Sequence, residues 1–528
     1  MNDSSTQWVS RSRASHVTLA IAYAASAAAC SGYYPLGDVS RDDAALVGDD
    51  PSPGSQSGDA NVGALLAPPD VTISSVEASP DTLVAAGDMD GDGYGDMAVT
   101  ALDPTTGVSY VQVRYGGPRP LDPEAALAFE RGGASLTITL ETQILMVFAA
   151  GDVDGDGNSD LIVQPSQCQV TLPGDGAYLV YGGPRLQGTI PLLSVAARFV
   201  PPSLPSDSSD GYSCNGIPGA AGPGDMDGDG IDDLVLSSGA ARPSSDTPLG
   251  SSGEGVYVFY GRRERFSGEI PFSDADAALQ IADDIGLYPV GDVNGDGLAD
   301  LLTTPPEYDY PPTKPGSYLL EGRAQRYAGT LDLAESTRLL AGARPIFMSG
   351  IADLDGDGID DLLLDDPEYQ RHLFYGAPAK FEASFDFAQA DAVLLEDNVS
   401  RGCPAGDRDG DGDDELVDLF LVPGEHPVRQ IDVAFASGSR ERFAGDVFFP
   451  ESEVIAQTPN GRFPLDPYRV LTYAIPAGDL DGDGAEDLFT TSMHLEPYDD
   501  ATGAGFIPGG YQLHIHYGTP AHLAGDPR

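Results

Sequence analysis

Short apolar runs, spaced as strands are and with no sustained helical period, fill the chain from about residue 67 to its end. They fall into units of one order. An apolar run leads into an acidic turn, as Tyr288-Pro289-Val290 does before Gly291, and a second run leaves it, as in Leu301-Leu302-Thr303. A third carries alternating large residues and ends in Tyr-Gly, at 177–183, 256–261 and 511–518. A fourth is expected soon after it, at 188–192, 268–272, 329–333, 385–387 and 445–449. Four short strands per unit, repeated seven times, predict an all-β chain folded as a seven-bladed β-propeller of four-stranded blades. The last unit stops where its fourth strand should begin, while residues 71–76 read as a strand that precedes the first unit. The expectation is a ring closed by this N-terminal strand, which would complete the final blade and cover open strand edges.

The turn between the first and second runs has a fixed composition. In 151–163, GDVDGDGNSDLIV, three aspartates alternate with other residues, Gly157 follows, and Asp160 closes the loop before an apolar run. Carboxylates this close repel one another, and a hard cation with a preference for oxygen ligands removes that repulsion. Alternation directs three carboxylates inward, the glycine allows the sharp bend, the closing acid offers two oxygens, and the residue two before it offers a backbone carbonyl.

Seven copies recur, and the loops are predicted to hold about seven Ca²⁺ ions. The first three candidate ligand sets are Asp88, Asp90, Asp92 and Asp96 with Tyr94; Asp152, Asp154, Asp156 and Asp160 with Asn158; and Asp225, Asp227, Asp229 and Asp233 with Ile231. The next two are Asp292, Asn294, Asp296 and Asp300 with Leu298, and Asp353, Asp355, Asp357 and Asp361 with Ile359. The last two are Asp407, Asp409, Asp411 and Glu415 with Asp413, and Asp479, Asp481, Asp483 and Asp487 with Ala485. Asn294 and Glu415 depart from the pattern but keep an oxygen ligand. Seven loops with one internal spacing argue against independent solvated turns.

An EF-hand would need its bidentate Glu at loop position twelve and helices on both sides; these loops close at the ninth residue and run into strands. Short tandem calcium repeats would recur far more closely than these, which recur roughly every 65 residues. Over about 70–528 the loops resemble the FG-GAP repeats of integrin alpha-chain N-terminal propellers, in which DxDxDGxxD precedes an apolar run in a hairpin of each blade. The resemblance implies a calcium-binding propeller, and ligand binding on the face opposite the calcium loops. The Phe-Gly and Gly-Ala-Pro signatures of that family are mostly absent here.

Charge narrows the partners. With 27 basic and 83 acidic residues the formal net charge is −56, which disfavours nucleic acid and anionic membrane surfaces. Residues 1–29 read as an export signal, with Arg11 and Arg13 before the apolar stretch Val17 to Ala29. Ala27-Ala28-Ala29-Cys30 resembles a bacterial lipoprotein processing site with lipid on Cys30; cleavage after Ala29 without lipid is the alternative. Lipidation followed by Ser31 would favour the outer membrane of a Gram-negative cell. Residues 30–66, rich in Asp, Gly, Ser and Pro, read as a flexible tether, and 67–528 as the propeller. Cys168 and Cys214 lie in connections expected on one face, so a disulfide between them is expected in an oxidising compartment.

The expected function is that of an exported, calcium-stabilised scaffold for cell-surface binding or adhesion, as a monomeric propeller with a surface protein or glycan as partner. The alternatives are a carbohydrate- or lipid-active enzyme on the same scaffold and a structural part of a surface assembly. Three connections between second and third runs are long, 237–254, 304–316 and 492–510. The last two carry Tyr308, Tyr310, Tyr498 and Phe506, which mark a candidate ligand surface.

Overall fold

A computed structural model describes residues 30–31, 71–76, 83–102, 109–118, 136–139, 145–165, 176–194, 197–202, 219–238, 255–279, 286–304 and 316–331. It also describes 337–341, 352–366, 370–378, 380–381, 384–395, 403–422, 430–436, 442–448, 469–500 and 503–518. The fold is an all-β propeller. In the second repeat Leu145–Gly151, Asp160–Pro165 and Ala177–Val180 pair antiparallel in sequence order, and Ala197–Val200 joins as the fourth strand. The first, third and fourth repeats follow the same plan.

Blade number and blade composition both differ from expectation. Six sheets have the four or five strands of a blade, so the structure shows six blades where the sequence predicts seven. The remaining sheet, Cys403–Gly406, Glu415–Val422 and Gln430–Ala436, has three strands among the described residues. The segments expected as fourth strands lie elsewhere. Gly188–Pro191 runs parallel to Leu136–Thr139 of the preceding blade, and Gly268–Pro271 runs parallel to Ala197–Val200. Gly329–Leu331, Phe385–Asp386 and Gly445–Phe448 do the same on the blades before them. Each is thus an outermost strand that crosses to the earlier blade, and in the second to fifth repeats the chain then returns to build its own fourth strand. The strand expected at 445–449 as the outer strand of the sixth repeat thus stands, as Gly445–Phe448, on the fifth blade.

The physical reason is burial. The residue that follows the crossing strand, Leu192 or Phe272, is inserted between blades and almost wholly buried. The cores themselves are formed between blades. Leu161 and Val163 face the first blade, while Ile162 between them packs with Leu234, Leu236 and Phe259 of the third. A strand with core on both faces has no reason to alternate apolar and polar residues, hence uninterrupted runs such as Leu161-Ile162-Val163. Phe199 meets Phe259 edge-on at 4.8 Å, and Phe259 meets Phe272 at 5.9 Å.

The expected loop 492–510 is a long two-stranded ribbon. Asp487–Asp500 pairs with Gly503–His516 as far as Asp500 opposite Gly503, with Tyr498 opposite Gly505. Continuing the ladder satisfies backbone groups that a loop would leave to water. Val71–Val76 pairs antiparallel along Gly503–His516, from Val71 opposite Ile515 to Val76 opposite Tyr511. On the other edge of this sheet Cys30–Ser31 pairs with Arg469–Gly478, Cys30 lying opposite Ala474. The tether other than those two residues, Tyr308, Tyr310 and the expected Cys168–Cys214 bridge lie outside the described residues.

Removing residues 1–79 should uncover the Gly503–His516 edge. A chain starting at residue 80 is expected to aggregate or to lose cooperative unfolding, whereas one starting at residue 67 should melt as the full chain does. Thermal denaturation with light scattering separates the two.

Candidate metal centres

Each acidic loop is held by hydrogen bonds from its own backbone. The first aspartate accepts from the N–H of the loop glycine at 2.6 to 3.0 Å in all seven copies. The bend requires a positive φ at that glycine, 91° at Gly157, which a side chain would strain. The seventh-position residues expected to offer carbonyls are held by their N–H groups. Tyr94, Asn158, Ile231, Leu298, Ile359, Asp413 and Ala485 each donate to the fifth-position aspartate at 3.0 to 3.2 Å.

The closing acid has a second task. Asp160 Oδ2 accepts from Val153 N–H at 3.1 Å and Oδ1 from Gly182 N–H at 2.7 Å. Gly182 belongs to the Tyr-Gly that ends the third strand, so this carboxylate ties the loop to that strand. Asp96, Asp233, Asp300, Asp361 and Asp487 make the same pair of bonds, to Gly116, Gly261, Gly322, Gly376 and Gly518. Both oxygens are therefore engaged before any ion arrives, leaving about one lone pair on each. The sequence shows the Tyr-Gly but not its partner; the signal was its recurrence after five of the seven loops, with Glu321-Gly322 and Ser437-Gly438 at the same place in the other two.

Glycine is needed there for space. A Cβ at Gly182 would lie 2.4 Å from Ser159 O and 2.7 Å from Met89 O, both backbone atoms. The Met89 contact belongs to the preceding repeat. Gly183 N–H donates to the same Met89 carbonyl at 2.7 Å, and Ser159 N–H donates to Asp88 O at 2.8 Å. Equivalent bonds run from Asp232 to Asp152, Ala299 to Asp225, Asp360 to Asp292, Asp414 to Asp353, Glu486 to Asp407 and Gly95 to Asp479. Every loop is bonded to the loop before it, and the first to the last.

The carboxylates converge. One oxygen from each of Asp88, Asp90 and Asp96 lies within 4.8 Å of the others, and the same holds for Asp152, Asp154 and Asp160. It holds also for Asp225, Asp227 and Asp229, for Asp353, Asp355 and Asp357, and for Asp407, Asp409 and Asp411. Asp90 Oδ1 and Glu415 Oε1 are buried without a hydrogen-bond partner, although the other oxygen of each is bonded. Unpartnered buried carboxylate oxygens facing further carboxylates fit a hard cation. The fourth loop differs: Asn294 Nδ2 donates to Asp300 Oδ2 at 3.2 Å, so its amide takes up part of the closing charge internally.

Electrostatics report the same strain. Burial pushes Asp96 and Asp160 up to about 7, and Asp233, Asp300, Asp361 and Glu415 up to about 8; their backbone hydrogen bonds oppose the shift without cancelling it. Four arginines also reach the loops. Arg185 pairs with Asp90 and Asp92, Arg265 with Asp154 and Asp156, Arg326 with Asp227 and Asp229, and Arg442 with Asp355 and Asp357. No family model matches the chain, and a search of curated proteins finds no relative.

Three outcomes follow from this geometry. Folded pKa values above the unfolded value of 3.8 mean that the native state holds more protons between about pH 4 and 8. In chelator, stability should therefore fall as pH rises through that window, whereas Ca²⁺ affinity should rise with release of protons; melting and proton-release titrations across pH 5–8.5 read both. At ten times its Kd, each Ca²⁺ should add roughly 1.4 kcal/mol, so the melting midpoint should climb steadily with calcium. Gly182→Ala should cost about 1–3 kcal/mol through overpacking against two backbone carbonyls, measured by denaturant unfolding.

Proposed function

We propose that the chain is an exported, calcium-stabilised propeller serving as a cell-surface binding or adhesion scaffold, of the FG-GAP type that its loops resemble. One observation carries this reading. The acidic loops share one hydrogen-bonded frame, while the connections between second and third strands differ widely. Five residues separate Leu362–Asp365 from Arg371–Phe374 in the chain and sixteen separate Asp233–Ser238 from Gly255–Phe259, while Asp487–Asp500 and Gly503–His516 extend as a ribbon. A constant face and a variable face are what a scaffold needs: the first fixes the blades and the second presents recognition.

In this reading the three-stranded sheet is a seventh blade, and Val71–Val76 closes the ring through the last sheet. The pairing of that strand and the bond from Gly95 to Asp479 support this arrangement. Calcium is the ion proposed, because clustered carboxylates and no soft ligands favour hard cations that accept many oxygens. Lipid on Cys30 would hold the protein at the outer membrane; otherwise it is periplasmic or secreted.

A glycan and surface-protein binding screen, run with calcium and with chelator, tests the function. Calcium-dependent binding that falls on changing Tyr308, Tyr310 and Tyr498 to Ser is expected. Turnover of a glycan or lipid with no retained ligand would favour the enzyme reading instead. Fatty-acid labelling of wild type but not of Cys30→Ala is expected if the anchor is present.

A further inference from the structure

The four arginines that reach the acidic loops all come from the following repeat. Arg265 lies in the third repeat, just past its Tyr-Gly, and its guanidinium bridges Asp154 Oδ2 and Asp156 Oδ2 of the second. The same guanidinium lies 4.6 Å from the centre of the Tyr181 ring, the tyrosine of the second repeat's own Tyr-Gly. Arg185 over Tyr115, Arg326 over Tyr260 and Arg442 over Tyr375 reproduce the arrangement at 4.7 to 4.8 Å. A planar fork stacked on a ring and bidentate to two carboxylates is a defined contact and not a chance surface ion pair.

The choice of oxygen matters. Asp154 Oδ1 and Asp156 Oδ1 are taken by the loop's own N–H groups, from Asp156 at 3.1 Å and Asn158 at 3.0 Å. The guanidinium takes the other oxygen of each, so loop backbone and arginine between them engage both oxygens of both carboxylates. Asp227 and Asp229 divide their oxygens in the same way. The fourth loop is the internal control. It has neutral Asn294 at the third position, and among the described residues no guanidinium reaches it. The basic residue at the corresponding place, Lys380, pairs with Asp391 and donates to Tyr375 O at 2.6 Å. In this one copy the neutral third position and the unbridged loop occur together.

We propose that these arginines are calcium-displaceable latches between neighbouring repeats. In low calcium the guanidinium holds the third- and fifth-position carboxylates and thereby joins two blades. Calcium binding weakens that contact through competition for the same carboxylates and like-charge repulsion. The arginine side chains are 39 to 48 % exposed, so a displaced guanidinium has water within reach. The inference rests on the calcium reading above.

The test compares the full chain with Arg265→Gln, with the fourfold variant R185Q/R265Q/R326Q/R442Q, and with Arg265→Lys, which keeps charge but loses the fork. Melting is followed in chelator and in saturating calcium, and calcium binding by calorimetric titration of stripped protein. The fourfold variant should melt several degrees lower than wild type in chelator, with a smaller difference in calcium, and should bind calcium on the order of fivefold more tightly. Arg265→Gln should move in the same directions by a smaller amount, and Arg265→Lys should lie between it and wild type. An equal loss of midpoint in both conditions, or weaker calcium binding, would overturn the latch. If the fourfold variant does not fold, Arg265→Gln carries the same comparison. Wild type that binds no calcium would instead sink the calcium reading itself.

Discussion

A carboxylate buried at the end of each acidic loop is the constraint on which the rest of the blade depends. Taking such a group out of water costs several kcal/mol, and two charge-assisted hydrogen bonds return about 1.5–3 kcal/mol each. Burial still wins, since Asp233 is pushed up to about 8 despite bonds from Met226 and Gly261. The acid stays because nothing else could do the same work. A single side chain fastens the loop's second residue and the end of the third strand to one point, and the adjoining backbone is then placed to bond the loop of the previous repeat. Replacing it with an apolar residue would leave two buried N–H groups without acceptors. A cation beside the loop would relieve the remaining penalty, because it would stabilise the ionised form that burial disfavours.

From that point outward, cohesion passes between repeats and not within them. The core lies between blades, the crossing strands add an edge to the preceding blade, and backbone bonds join loop to loop. Tyr260 accepts from Tyr327 N–H of the next repeat at 2.8 Å, and Tyr375 accepts from Phe443 N–H at 2.7 Å. A single repeat has little apolar surface of its own to bury, so each stands only when flanked by its neighbours.

Fold class and loop were legible for a common reason: both are written in local sequence. Spaced apolar runs give strands, and an aspartate at every second position before a glycine gives one loop whatever surrounds it. The crossing of Gly188–Pro191 to the earlier blade was not legible. Its sequence is that of any short outer strand, and its choice of partner depends on the slot that accepts Leu192. Residues 492–510 misled for the opposite reason. Glycine and proline there read as a loop, but an antiparallel partner in register outweighs weak local preference. The arginines were invisible individually; only their place four or five residues after the residue that precedes that recurring glycine marked them, and their partners lie 85 to 111 residues away in the chain.

The acidic composition looks different once these contacts are known. An excess of carboxylates would ordinarily loosen a compact fold by self-repulsion. Here a large share is gathered into loops where it is screened by backbone N–H groups, and four of the scarce basic residues are placed against it. Asp232, Asp360, Asp414 and Glu486 carry the arrangement one step further, since each sits just before a closing acid, and burial raises all four. Three of them accept the N–H of the first aspartate in the preceding loop, as Asp232 does from Asp152 at 2.7 Å. In the second and fourth repeats the same place is held by Ser159 and Ala299, while the backbone bond to the preceding loop persists. The side-chain acid is therefore an addition to the joint and not its basis. What every repeat keeps is the main-chain link, and the negative charge accumulates around it.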